Sequence, residues 1–194
     1  AAVVADQPVV SVQGQRNVAV RALDDRSAGP AGYKPCHAAP VEKENGLLSD
    51  VVNVLAEIEE EMWFGSYLDN RPGGLSIKRG DVWQYVTIED GLSHPYINAI
   101  LPISDSVLVA TGQLTAGGLN RLSKSGEHYV VTDTFNMEDG IPGEKVRWLY
   151  KDTAGHLWIT TESNGLLVCK TEEIDHPIDG VLLVQEHGLS DNEI

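Results

Sequence analysis

The stretch Gly140-Ile141-Pro142-Gly143-Glu144-Lys145-Val146-Arg147-Trp148-Leu149-Tyr150-Lys151-Asp152-Thr153-Ala154-Gly155-His156-Leu157-Trp158-Ile159-Thr160-Thr161 reads as strand, tight turn, strand. Val146, Trp148 and Tyr150 are apolar at alternate positions, the period of a strand with one face against a neighbour. Asp152 to Gly155 forms a turn ending on a residue that takes positive φ without strain, which joins antiparallel strands at little cost. Leu157 to Thr161 is a second β-rich run, and Asn164-Gly165-Leu166 turns into a third. The layout occurs twice upstream. Gly46 is followed at six and nine positions by Val52 and Leu55, Gly91 by Ile97 and Ile100, and Gly140 by Val146 and Leu149. Met62-Trp63-Phe64-Gly65-Ser66 and Val107-Leu108-Val109-Ala110-Thr111 match the second run, and Gly73-Gly74-Leu75 and Gly117-Gly118-Leu119 match the glycine turn. Outer strands are expected at Val82–Val86, His128–Val131 and Val181–Val184.

Gly188-Leu189-Ser190 opens one more copy, so the starts at 46, 91, 140 and 188 lie 45, 49 and 48 residues apart. Units of that length built from four short strands are the blades of a β-propeller. The chain is therefore expected to be all-β, with blades of four antiparallel strands over 46–90, 91–139 and 140–187, and the start of a further blade at 188–194. Propellers need about four blades to close, and a sheet cut in its first strand leaves unpaired backbone groups. The expectation is an incomplete propeller: a piece of a longer protein, a closure using the N-terminal strands, or a homodimer joined through open blade edges.

Upstream, Gly14 is followed at six and nine by Val20 and Leu23, and Val20 to Gly29 echoes Val146 to Gly155. Gly14 to Gly46 is only 32 residues, about one strand short. Residues 1–45 are thus expected to hold a degenerate partial blade, since terminal repeats are often atypical.

With 29 acids against 14 bases the net charge is −15, which repels phosphate backbones and anionic membranes and argues against nucleic-acid binding. Loop carboxylates such as Asp24, Asp25, Asp69 and Asp139 lack calcium-loop spacing. No apolar run reaches the roughly 18 residues that cross a bilayer, so no membrane insertion is expected within this chain. Cys36 and Cys169 are the only cysteines; sequence does not decide whether they pair, and Cys169 lies in an apolar run that suits a buried thiol. The four tryptophans, Trp63, Trp83, Trp148 and Trp158, all fall inside the repeats, which points to packing between units.

The repeats resemble the two-component regulator propeller family. Gly140-Ile141, Val146, Leu149, Asp152, Gly155, Leu157 to Thr161 and Gly165-Leu166 follow its pattern, and Gly91-Leu92-Ser93 and Gly188-Leu189-Ser190 match its opening. The second repeat departs with Leu108 in place of Trp, and the first with Gly65-Ser66 in place of Gly-Thr. The resemblance implies a propeller in the periplasmic or extracellular sensor region of a hybrid two-component kinase, binding oligosaccharides or related nutrients and signalling to a separate output domain or partner protein.

No Ser-His-Asp order, zinc spacing, phosphate loop or glycosidase signature occurs, so no catalytic residue, metal ligand or cofactor is assigned. Loops before the first strand and after the second emerge at one end of a propeller, beside the channel. That places Tyr67, Arg71, His94, Tyr96, Asn98, Lys145, Arg147 and Asn164 there as candidate ligand-binding residues, with Asp50, Asn53, Asn70, Gln113 and Glu144 around them. Aromatic rings beside amides and charged forks suit a sugar, stacking on its C–H faces and fixing its hydroxyls. Two other functions stay open: a protein-interaction scaffold, and a metal-dependent lyase- or lactonase-like enzyme using a pair such as His94 and Glu144.

Overall fold

The computed structural model describes residues 46–67, 73–175 and 177–192. The partial blade read in 1–45, together with Asp69, Asn70, Arg71 and Cys36, lies outside the described residues. Among the described residues twelve strands form three four-stranded antiparallel sheets. Blade 1 holds β1 (Val52–Ile58), β2 (Glu61–Ser66), β3 (Leu75–Arg79) and β4 (Val82–Val86). Blade 2 holds β5 (Ile97–Ile103), β6 (Ser106–Gln113), β7 (Ala116–Ser125) and β8 (His128–Phe135). Blade 3 holds β9 (Val146–Lys151), β10 (His156–Thr161), β11 (Leu166–Lys170) and β12 (Gly180–Leu183). Strands pair in chain order within each sheet, the meander of a propeller blade. Among the described residues no helix is long and apolar enough to cross a membrane.

The repeat glycine has a specific task. Gly91, Gly140 and Gly188 each end a 3-10 turn in the left-handed region, with φ of 104°, 103° and 102°. The turns at Ile88–Asp90 and Met137–Asp139 are closed by reciprocal caps: Thr87 and Asn136 accept from the first turn, and Asp90 and Asp139 accept from the cap backbone. A side chain at the glycine would strain that exit.

Two apolar clusters hold the blades face to face. Trp63, Leu75 and Ile77 of blade 1 pack with Ile97, Val107, Val109, Leu122 and Tyr129 of blade 2. Leu108, Leu119 and Phe135 of blade 2 pack with Val146, Leu149, Leu157 and Ile159 of blade 3. Trp63 is a blade-to-blade filler, its ring edge-on to Tyr129 with centroids 4.7 Å apart. Trp148 differs from the expectation: it is 44% exposed, on the face of blade 3 turned away from blade 2. Cys169 is buried in the blade 3 core.

The first strands of successive blades are joined through a bulge. The pairing register slips between Val52 and Val54, between Ile97 and Ala99, and between Val146 and Trp148, leaving Asn53, Asn98 and Arg147 as the extra residues. A bulge re-aims its side chain. Here Asn53 Nδ2 donates to the Ile97 carbonyl of blade 2 (2.9 Å), and Asn98 Nδ2 to the Val146 carbonyl of blade 3 (2.8 Å). Each amide staples one blade to the first residue of the next blade's opening strand.

Candidate functional site

The upper end of the blades, where β1, β5 and β9 begin, is built from side-chain closures of each glycine turn. Ser66, Thr111 and Thr161 stand at or near the ends of the second strands, and each hydroxyl donates to a carbonyl at or near the start of the third strand: Gly74 (2.7 Å), Gly118 (3.1 Å) and Gly165 (3.2 Å). Serine and threonine are interchangeable here because only the hydroxyl is used. Two residues further along, Ser76 accepts from Leu48 N (3.0 Å) and Asn120 Oδ1 from Ser93 N (2.9 Å), pinning the opening loop to the third strand. Blade 3 has Pro142 at the donor position and Leu167 at the acceptor position, so donor and acceptor are lost together.

On this platform three rings meet at the junction of blades 1 and 2. Tyr67, just after β2, lies 5.3 Å centroid to centroid from Tyr96, just before β5, with planes tilted by 51°. His94 meets Tyr96 edge-on at 4.9 Å. All three are half-buried. Burial pushes the His94 imidazole below its ordinary pKa, so the ring is neutral near pH 7. Its Nδ1 accepts from the Tyr96 amide at 3.1 Å, which leaves the proton on Nε2.

The other candidates divide. Asn98 is near this end, but its Nδ2 donates to both Gly112 O (3.0 Å) and Val146 O (2.8 Å). Lys145 is ion-paired to Glu162 at 2.7 Å, and Asn164 donates to Pro142 O at 2.6 Å. These three sit on the expected end with their donors engaged by the fold. Arg147 is exposed at the bulge of blade 3 and has no partner among the described residues. No described contact joins His94 to Glu144, and among the described residues no three His, Cys, Asp or Glu side chains are grouped to hold a metal.

Sequence reading missed two polar features between the blades. Glu61 is buried at the lower end, where Arg79 Nε donates to it at 2.6 Å and Arg79 also pairs with Glu127 of blade 2. A groove of about 490 Å³ opens at the lower end between blades 2 and 3, beside Asp105, Arg121, Lys151 and Glu172. Its Arg121 is already bound to Asp133 (3.0 Å) and to the Ile174 carbonyl. The signal for Glu61 was its place on the strand: it leads β2 at a register whose neighbours face the adjoining blade.

Comparison with known proteins agrees with this architecture. Residues 140–163, the stretch from the repeat glycine of blade 3 to just past its second strand, match the family described as Two component regulator propeller. Among solved structures, the extracellular domain of a putative hybrid two-component system from B. thetaiotaomicron is similar, with a TM-score of 0.61, 20% identity and 82% of this chain covered. The chain spans 21% of the length of that structure. No curated protein matches the chain. Within blade 3 the chain matches the two-component regulator propeller model over residues 140–163, and the described blades share the four-stranded propeller fold.

Proposed function

We propose that this chain is part of a non-catalytic, extracytoplasmic sensing propeller, and that the upper junction of blades 1 and 2 binds an oligosaccharide. The carrying observation is the Tyr67–Tyr96–His94 cluster. Two tilted phenol rings offer a surface for the C–H face of a pyranose, and a neutral imidazole with its proton on Nε2 donates to a hydroxyl without requiring a charged ligand. Similarity to an extracellular domain of a two-component system supports the compartment and the passing of the signal to a separate output domain. Titration calorimetry against a panel of neutral oligosaccharides tests it. Binding is expected, and Tyr96→Ala should weaken it about tenfold, roughly 1.4 kcal/mol, with folding retained. Absence of binding across the panel, or equal affinity in the variant, would sink the reading. The uncovered apolar residues of blade 3, Trp148, Tyr150 and Val181, favour a protein-interaction scaffold as the second reading.

A further inference from the structure

In blades 2 and 3 the residue nine positions after the repeat glycine, and two alternate residues of the second strand, close against the blade before. They are Ile100, Val107 and Val109 in blade 2, and Leu149, Leu157 and Ile159 in blade 3. Blade 1 carries apolar residues at the same three positions, Leu55, Met62 and Phe64. There, however, Leu55 is 60% exposed, Met62 37%, and Val82 on the outer strand 66%. Blade 1 thus presents the surface that blades 2 and 3 bury.

The described chain enters at the edge of this surface. The Tyr85 hydroxyl donates to the Gly46 carbonyl at 2.9 Å, and a Cβ on Gly46 would run into the Trp83 indole. Where the chain reaches Gly91 and Gly140, it has just left the outer strand of the preceding blade, β4 or β8. Forty-five residues precede Gly46.

We propose that residues 14–45, which lie outside the described residues, are the segment that covers the open face of blade 1. Arg21 follows Gly14 by seven positions, as Asn53 follows Gly46 and Asn98 follows Gly91. Asn53 and Asn98 donate to the carbonyl six residues after the next repeat glycine, those of Ile97 and Val146. By sequence offset the corresponding positions are Arg21 and Val52. Ala22 follows Gly14 by eight positions, as Val54 follows Gly46 and Ala99 follows Gly91, and Val54 and Ala99 face the following blade.

Thiol labelling of the full chain tests this in a Cys36→Ser background. Leu55→Cys reports on the covered face, and Leu182→Cys, at a site 42% exposed on blade 3, is the accessible control. Leu55→Cys is expected to label about 100-fold more slowly than the control, and adding Ala22→Glu should bring it to within about threefold. Equal rates at the outset, or protection that survives Ala22→Glu, would overturn the proposal. Protection that vanishes on dilution would overturn it in favour of a second copy of the chain. Should circular dichroism show Leu55→Cys unfolded, Met62→Cys serves as reporter with the same expected outcomes.

Discussion

Replacing Asn98 with alanine removes the staple between blades 2 and 3. The side chain makes two hydrogen bonds from one amide, to Gly112 O at 3.0 Å and Val146 O at 2.8 Å. Each neutral bond contributes about 1 kcal/mol, and a buried acceptor left without a donor adds to the loss. Gly112 and Val146 are both buried, so water does not readily replace the amide. The expected cost is about 2–3 kcal/mol for Asn98→Ala. Asn53→Ala, which breaks one bond at a more exposed site, should cost about 1 kcal/mol. In a chain of this length 1 kcal/mol corresponds to about 2–4 °C in Tm, so the two variants should melt several degrees apart. Urea unfolding followed by tryptophan fluorescence measures both, with an unchanged m-value showing that the exposed surface is the same. A loss below about 0.5 kcal/mol for Asn98→Ala would refute the staple. If oligosaccharide affinity fell while stability held, Asn98 would instead be a ligand contact.

Other perturbations probe other parts of the frame. Gly112→Ala forces a side chain into φ +132° and places its Cβ 2.6 Å from Ala116 O, so denaturant unfolding should show a loss above the roughly 1–3 kcal/mol of backbone strain alone. Gly126→Ala, at φ +64° with nothing within 4 Å, should cost only about 1–2 kcal/mol in the same assay. The Asp152 carboxylate accepts from the backbone of His156 and from the Trp158 indole, and its pKa is lowered to about 2 from 3.8. Because the folded value is depressed, its stabilisation is present above about pH 4 and lost as pH falls through 2; melting curves of Asp152→Asn should lack that component. Arg79→Met strands the buried Glu61 carboxylate, whereas Glu127→Gln touches an exposed partner, so unfolding curves should show the first variant to be clearly the less stable.

The period of the fold was legible because strand alternation and turn glycines recur at fixed offsets, and the twelve strands among the described residues fall where those offsets put them. Hydrogen-bond partners were less legible, because they depend on pairs of positions far apart in sequence. Ser93 with Asn120 is a bonded pair, and its counterpart Pro142 with Leu167 is a matched pair of non-bonding residues. Trp158 donates to Asp152 at 3.1 Å, but in blade 1 the acidic position is taken by Ile58, and the buried Trp63 Nε1 has no partner among the described residues. The same tryptophan therefore means a satisfied donor in one blade and an orphan in another, which the repeat pattern alone does not separate.

That distinction also sorts the candidate ligand residues. Asn98 was picked out by type and position, yet it stands at a register position where the repeat demands a donor for the neighbouring blade, and its amide is spent there. Tyr67, His94 and Tyr96 stand in the links between strands, where the repeat uses the backbone of Tyr67 and Tyr96 but not their rings. Gly112 N donates to the Tyr96 carbonyl and Tyr67 N to Val51 O, so the main chain is fixed while the aromatic faces stay available. Side chains free of register duties on a rigid backbone are what recognition needs, because little further ordering is lost when a ligand arrives. In a repeat protein of this kind, a ligand site is better sought among residues that the repeat leaves unconstrained than among those it shares from blade to blade.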